Sequence, residues 1–282
     1  MNFILGIAFL FITVFGTFAL EGGNLKALIQ PGEFGIIFGA TIGAFIISNP
    51  SYIMKHVLNS TKLLFKSEKY NKQYYTELLL LLFNIFKTIK TQNINVIDKD
   101  IEDPSQSELF KKYKLIYNNT HLITFLCDYL RMLSMGVEEY NCVEDIMYEE
   151  IETVEGEHEN YGSALSNMAD GLPALGIVAA VLGVIKTMSN IDQPPEILGK
   201  LIGGALVGTF LGVLLSYGII GPLSIYLEKI ERDELFYMKC IKNAITSYMQ
   251  GKPPMIAVEF ARKSLPSRLR PDFKTLEAKF YS

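Results

Sequence analysis

Between Leu201 and Leu227 the chain runs for 27 residues without a charged side chain. About 20 apolar residues suffice to cross a bilayer as a helix, so this stretch constrains the fold more than any other. A second apolar stretch, Gly171–Ile185, precedes it. Small residues recur in both: Ala174, Gly176, Ala179, Ala180 and Gly183 in the first, Gly204, Gly208 and Gly212 in the second. Small side chains let helix backbones approach closely in lipid, where apolar burial gives no drive to associate. The two stretches are therefore expected to be mates, joined by the short linker Ser189–Lys200, which Pro194 and Pro195 break. Pro173 is expected to open the first of them, where a helix accepts proline. Pro222 is expected to remove a backbone hydrogen bond from the second and kink it. The second is also longer than a bilayer needs, so it should tilt or project beyond the lipid.

Two further charge-free runs lie near the start, Phe3–Leu20 and Phe34–Ile53. A signal peptide is the rival reading of the first, but no Lys or Arg precedes its apolar part. Both are read as membrane helices, joined by a connection punctuated by Gly22-Gly23 and Pro31-Gly32. Gly35, Gly39 and Gly43 place small residues on one face of the second. A phosphate-binding glycine loop does not fit, because no Lys-Ser/Thr follows.

From Met54 the composition turns polar, with local apolar periodicity. Leu78–Phe83 is dense enough to suggest a span, yet Glu77 and Lys87 bound it within about a dozen residues, which suits a buried soluble helix. Leu122, Leu126, Leu130 and Leu133 recur at helical spacing. Asp103-Pro104-Ser105 reads as a turn, and the acidic run Glu138–Glu159 as a solvated helix face. After Leu227 a helical tail is expected to about Met249, broken beyond it by Pro253, Pro254, Pro266 and Pro271. The fold class is thus an all-α integral membrane protein: four transmembrane helices, a helical domain inserted between the second and third, and a helical tail. The corresponding divisions are 1–53, 54–168, 169–227 and 228–282.

Orientation follows the basic residues beside the span ends. Lys55, Lys62, Lys66 and Lys69 follow the second span, and Lys229, Arg232, Lys239 and Lys242 the fourth. The short connections carry only Lys26 and Lys200, with Lys186 at a helix end. The inserted domain, the tail and both termini are expected in the cytoplasm. A net charge of −4 and the absence of a Lys/Arg-rich block argue against a nucleic-acid partner. Cys127, Cys142 and Cys240 match no metal or redox spacing, and His56, His121 and His158 are equally scattered. No nucleophile–base constellation points to an enzyme.

Ion movement poses a sharper question. No Asp or Glu lies within the four spans as drawn; Glu33, Asp170 and Glu228 stand at their margins. A cation path through lipid normally relies on an ionisable group. Either the protein moves no ions or a partner chain supplies the carboxylate. The polar groups available are hydroxyls, Thr41, Thr187, Thr209 and Ser216, which alone read as helix–helix hydrogen bonders.

The stretches Gly171–Gly183 (GLPALGIVAAVLG) and Ala205–Gly218 (ALVGTFLGVLLSYG), with Pro222, resemble the MotA family of flagellar-motor stator subunits. Further matching pieces are Pro31–Phe34 (PGEF), Asp100–Pro104 (DIEDP), Glu149–Thr153 (EEIET) and Ala257–Lys263 (AVEFARK), so the likeness extends over essentially the whole chain. The resemblance implies a ring, a pentamer around a MotB dimer, in the bacterial inner membrane. MotB supplies the membrane aspartate and a grip on peptidoglycan, and the cytoplasmic domain pushes the rotor protein FliG. It further implies that the small-residue faces pack against the partner's helices while the ring moves. A TolQ/ExbB-like energy transducer is one alternative, although that branch generally has three spans. A passive membrane scaffold is another.

Residue roles follow from the same resemblance. Lys90 and Asp98, counted back from Asp100, match the basic and acidic positions that contact the rotor. Both keep the charge sign of the usual Arg and Glu but change the side chain. Pro173 and Pro222 match prolines that set the shape of the moving helices. Sodium-driven relatives carry a threonine seven residues after the first of these prolines, where this chain has Ala180. They also carry paired hydroxyls where it has Gly208-Thr209. The implied coupling ion is therefore the proton, with no other cofactor.

Overall fold

Phe3–Leu20 contains neither charge nor proline, and it forms an unbroken helix, α1 (Asn2–Leu20). A computed structural model describes residues 2–61 and 70–280; Lys62, Lys66 and Lys69, used above for orientation, lie outside the described residues. A short 3₁₀ turn (Leu25–Leu28) capped by Asn24 leads into α2 (Pro31–Ser48), which has Pro31 at its first position. The second span was expected to run through Ile53, but α2 stops at Ser48. Asn49 is extended at φ −128°, ψ 133°, as a residue before proline prefers, and its amide donates to the Phe45 carbonyl at 2.8 Å. Ile53 belongs instead to a separate helix, α3 (Ser51–Ser60).

Among the described residues the chain is helical, without strands. After α4 (Lys72–Gln92) come the short helices α5 (Asp98–Glu102), α6 (Glu108–Lys111) and α7 (Lys114–Tyr117), then α8 (Thr120–Ser134). The helix α9 runs unbroken from Tyr140 to Met188. This corrects one expectation: Pro173 does not open a helix but lies inside one. The missing N–H removes a single bond, and neighbouring helices in a membrane compensate such a loss. In the acidic part of α9 the glutamates Glu149, Glu150, Glu152, Glu157 and Glu159 are exposed. Val143, Met147 and Ile151, four residues apart, form its buried stripe.

The fourth apolar stretch belongs to α10 (Pro195–Leu215), followed by one π-helical turn (Ser216–Ile220) and by α11 (Gly221–Met249). The Gly221 amide donates to the Ser216 carbonyl, five residues back. Pro222 cannot donate to the carbonyl four residues before it, and its ring would press on that carbonyl. The wider turn relieves both problems and accounts for the irregularity expected there. The tail ends with α12 (Pro254–Ser264) and α13 (Phe273–Phe280).

Two compact units divide the chain, residues 1–67 with 157–229 and residues 68–156 with 230–282. Among the described residues, four helices are long and apolar enough to cross a membrane. In the first unit α1 packs through Phe15, edge-on to Phe210, and through Leu10 beside Gly218. The second unit has a large conventional core. Leu78, Leu79, Leu81, Leu82, Ile85 and Phe86 of α4 are wholly buried, as expected for a soluble helix enclosed by others. Leu122, Leu126 and Leu130 of α8 join them, with Leu133 at the edge. Buried polar side chains there find partners at two places: Asn119 donates to the Tyr74 hydroxyl at 2.7 Å, and Tyr75 donates to the Asp233 carbonyl at 3.2 Å. Burial pushes the Tyr75 phenol above its usual range.

Candidate functional site: the seam between the third and fourth membrane helices

Within the membrane unit, α9 and α10 meet through glycine and alanine. A methyl group built on Gly176 would lie 2.8 Å from the Gly208 carbonyl oxygen and 3.0 Å from the Gly212 Cα. One built on Gly212 would lie 2.7 Å from the Leu172 carbonyl oxygen and 2.9 Å from the Gly176 Cα. These are backbone-to-backbone approaches with no room for a side chain. Leu172, Ala179, Val207 and Leu211 are buried around them, with Ile37 of α2. The two stretches are thus the mates that their small residues led us to expect, held backbone to backbone.

The seam also brings sequence-predicted residues together. A methyl on Gly208 would lie 3.2 Å from the Ala180 nitrogen and 3.1 Å from the Ala179 Cβ. Ala180 and the Gly208-Thr209 pair therefore stand at one level, Gly208 buried and Ala180 and Thr209 half-buried. Pro173, half-buried, lies one residue beyond Leu172, at the level of Gly212. Pro222 is exposed, beyond the π-helical turn. Of the hydroxyls, Thr187 bonds back to the Gly183 carbonyl at 2.9 Å on its own helix. Thr41 Oγ1 and Ser216 Oγ are buried without a hydrogen-bond partner among the described residues. The helix–helix bonding expected of these three is not what the structure shows.

Glu33 was placed at a span margin by its sequence position, and the structure moves its carboxylate to the seam. It stands in the first turn of α2 and reaches across to both mates. A methyl on Gly183 would lie 3.1 Å from Glu33 Oε1, and one on Gly208 would lie 3.1 Å from Oε2. Oε2 is buried and accepts no hydrogen bond among the described residues. The nearby Gln30 amide fills the space beside Gly204, 3.1 Å from where a methyl there would stand. A carboxylate thus occupies the gap that missing side chains leave. The only sequence signal was an acid between Pro31-Gly32 and an apolar run, which does not say how far it reaches.

Lys90 and Asp98 occupy the other unit. Lys90 is exposed in the last turn of α4, and Asp98 opens α5. Asn93, at φ 75°, reverses the chain between them and accepts from the Ile94 amide at 2.7 Å. Asp98 is held in place, since Ser134 donates to its carboxylate at 2.6 Å. Lys90 is thus an exposed surface charge and Asp98 a positioned one.

The chain matches the family description "Motility protein A N-terminal" over residues 4–93 and "MotA/TolQ/ExbB proton channel family" over residues 118–238. It is 42% identical over 277 residues to Motility protein A of Salmonella typhimurium, covering 98% of this chain and 94% of that one. It is 33% identical over 277 residues to Chemotaxis protein LafT of Vibrio parahaemolyticus, covering 98% and 97%. Its fold matches a chain of the flagellar MotAB stator complex from Bacillus subtilis with a TM-score of 0.76 at 24% identity, each chain covered completely (100%).

Proposed function

The chain belongs to the motility protein A family, within the MotA/TolQ/ExbB proton channels, and from that premise we propose how its residues divide the work of a stator. It is a multi-pass membrane protein and an ion-channel subunit of the flagellar motor stator. Its partner is a MotB-like chain with one membrane helix, which supplies an aspartate to the ion path. The seam of α9 and α10 carries this reading. It is rigid at its glycines, polar at Thr209, and has an outward face of exposed apolar residues, among them Ile177, Val181 and Val213. That face suits a partner helix. We place the complex in the inner membrane, as a ring of five around a MotB dimer, with 54–168 and 228–282 in the cytoplasm. Lys90 and Asp98 meet the rotor protein FliG. Pro173 and Pro222 let α9 and the fourth helix change shape as the partner's aspartate gains and loses its proton, because each already lacks one backbone bond. Replacing either with Ala should leave an assembled complex that turns poorly, whereas normal swimming would remove the proline from the mechanism.

The coupling ion is the proton. A dehydrated sodium ion needs several oxygen ligands, and neither Ala180 nor Gly208 has a side-chain oxygen to give. A proton needs only a carboxylate and a relay. The deciding experiment is swimming speed in sodium-free medium and after addition of a protonophore. Swimming should persist in the first and stop in the second; the opposite pattern would overturn the assignment.

A further inference from the structure

Glu33 has features that its neighbours in the fold do not require. Its carboxylate spans two helices, with Oε1 toward Gly183 and Oε2 toward Gly208, at the level where Ala180 and Thr209 stand. The groove exists because both positions are glycine: a methyl at either would crowd the carboxylate to 3.1 Å. Burying a carboxylate oxygen without a donor is costly, and it persists where the group has something to bind. Gln30, one turn earlier in the chain, offers no replacement, since its amide nitrogen donates to the Ala27 carbonyl at 3.1 Å. The charged side chain acting on Glu33 is Lys186, three residues after Gly183 and so on the same face of α9.

We propose that Glu33 is a cation-binding station of this chain's own, taking the coupling ion as a proton at the end of the seam where the short interhelical connections lie. The proposal rests on the reading above, that ions pass along the seam of α9 and α10. Lys186 has a part in it. A station on a conduction path must bind well enough to load and weakly enough to release. The ammonium opposes a second positive charge beside the carboxylate, which shortens the stay of any cation. The partner's aspartate is then the second carboxylate on the path and not the first.

The test compares Glu33→Gln and Glu33→Asp in the full complex with its partner, assembled in membrane vesicles. Proton flux is followed with a pH-sensitive dye while the pH on the side of the short connections is stepped from about 5 to 8. Glu33→Gln keeps the shape and removes the titrating group. It should lower flux about 10-fold and flatten its dependence on that pH, with the amount of complex unchanged. Glu33→Asp should recover part of the flux and restore the pH dependence. Flux through Glu33→Gln with the wild-type pH profile would overturn the proposal. Wild-type complex that passes no protons would instead overturn the channel reading beneath it. A sodium gradient in place of the proton gradient separates the ions, and flux that requires sodium would overturn the proton station. A further measurement needs no substitution. An apolar carbodiimide couples to carboxyls that carry a proton, so mass spectrometry of the labelled wild-type complex should find Glu33 modified. An unlabelled Glu33 would count against the proposal even if both variants failed to assemble.

Discussion

The two units of this chain are held together by opposite means. In the 68–156/230–282 unit, large side chains fill space: Phe86 stacks on Tyr248 at 4.5 Å, and Leu78, Leu79, Leu81 and Leu82 are wholly buried. In the membrane unit the decisive contacts are made by side chains that are absent, Gly176 on Gly208 and Gly212. The difference follows from the solvent. Water drives leucine and tyrosine into a core, at about 25 cal/mol for each Å² of apolar surface removed. Lipid is as apolar as leucine, so helices gain by close backbone approach instead. The same substitution should therefore have opposite meanings in the two units.

The largest effect should come from enlarging the seam. In Gly176→Val or Gly212→Val the added atoms meet backbone, which cannot rotate away. Overpacking of this kind typically costs about 1–3 kcal/mol, and here it also separates the helices of the ion path. Swimming and proton flux should both be lost. Gly39→Val provides the contrast, since nothing lies within 4 Å of a methyl there. Its effect on the chain's own fold should be negligible. If thermal unfolding of the purified full-length chain shows Gly39→Val to be as destabilising as Gly176→Val, the seam has no special standing.

Shrinking the other unit's core should come next. Leu79→Ala or Leu82→Ala removes a wholly buried side chain and should cost about 2–5 kcal/mol. The expected sign is early exposure of that unit to protease in the full-length chain, at a lower temperature than wild type. An unchanged cleavage profile would mean that the unit draws its stability from elsewhere.

How much of this was legible depends on the range of the contacts. The spans, the buried Leu78–Phe83 helix and the tail to Met249 are written in local patterns of charge and periodicity. The glycine spacing likewise announced close packing between the third and fourth spans, and Gly176 meets Gly208 and Gly212 as expected. Helix boundaries were misjudged where polarity changed without any change in backbone preference. The acidic part of α9 and its apolar part are one helix, because glutamate and alanine favour helix alike. Glu33 escaped because its contacts lie some 150–175 positions along the chain, at Gly183 and Gly208, and depend on gaps that those glycines leave. The placement of Lys90 and Asp98 depended on resemblance; their geometry shows only which of the two is held still.

A smaller effect separates those two charges. Reversal should impair swimming more than neutralisation at both positions, and more strongly at low salt, since exposed charges act through screened fields. Asp98→Asn keeps an acceptor for Ser134, so its loss should be modest, whereas Asp98→Lys forfeits the bond and inverts the charge. Soft-agar swarm diameters at two ionic strengths measure this. Full motility of the Lys90→Glu, Asp98→Lys double variant against an unaltered rotor would remove the pair from the contact.

The smallest effect leaves function untouched and reads the contrast between the units directly. Cys127 and Cys240 are buried in the core of the 68–156/230–282 unit, while Cys142 is exposed. Burial pushes the Cys127 thiol up to about 12, against the pull of Arg131, and pushes Cys240 upward as well. With an ordinary thiol near 8.5, Cys127 at pH 8 would be thiolate in only about one molecule in 10,000. A thiol reagent should therefore label Cys142 quickly and reach the other two only when the core opens. The sign of the pH effect follows from the raised values. Their contribution to stability is complete below about 8.5 and is lost as pH rises toward 12, because the unfolded thiols ionise first. Raising the pH from 8 to 10 should accelerate labelling of Cys127 and Cys240 by more than ordinary thiolate formation allows. The Gly176–Gly212 contact is made by backbone alone, with no cysteine and no titrating side chain, so the same pH step should leave that contact closed. Gly176→Val should likewise leave the core thiols protected, whereas Leu79→Ala should expose them. Equal exposure in both variants would show that the two units unfold as one, and the contrast drawn between them would describe packing without describing stability.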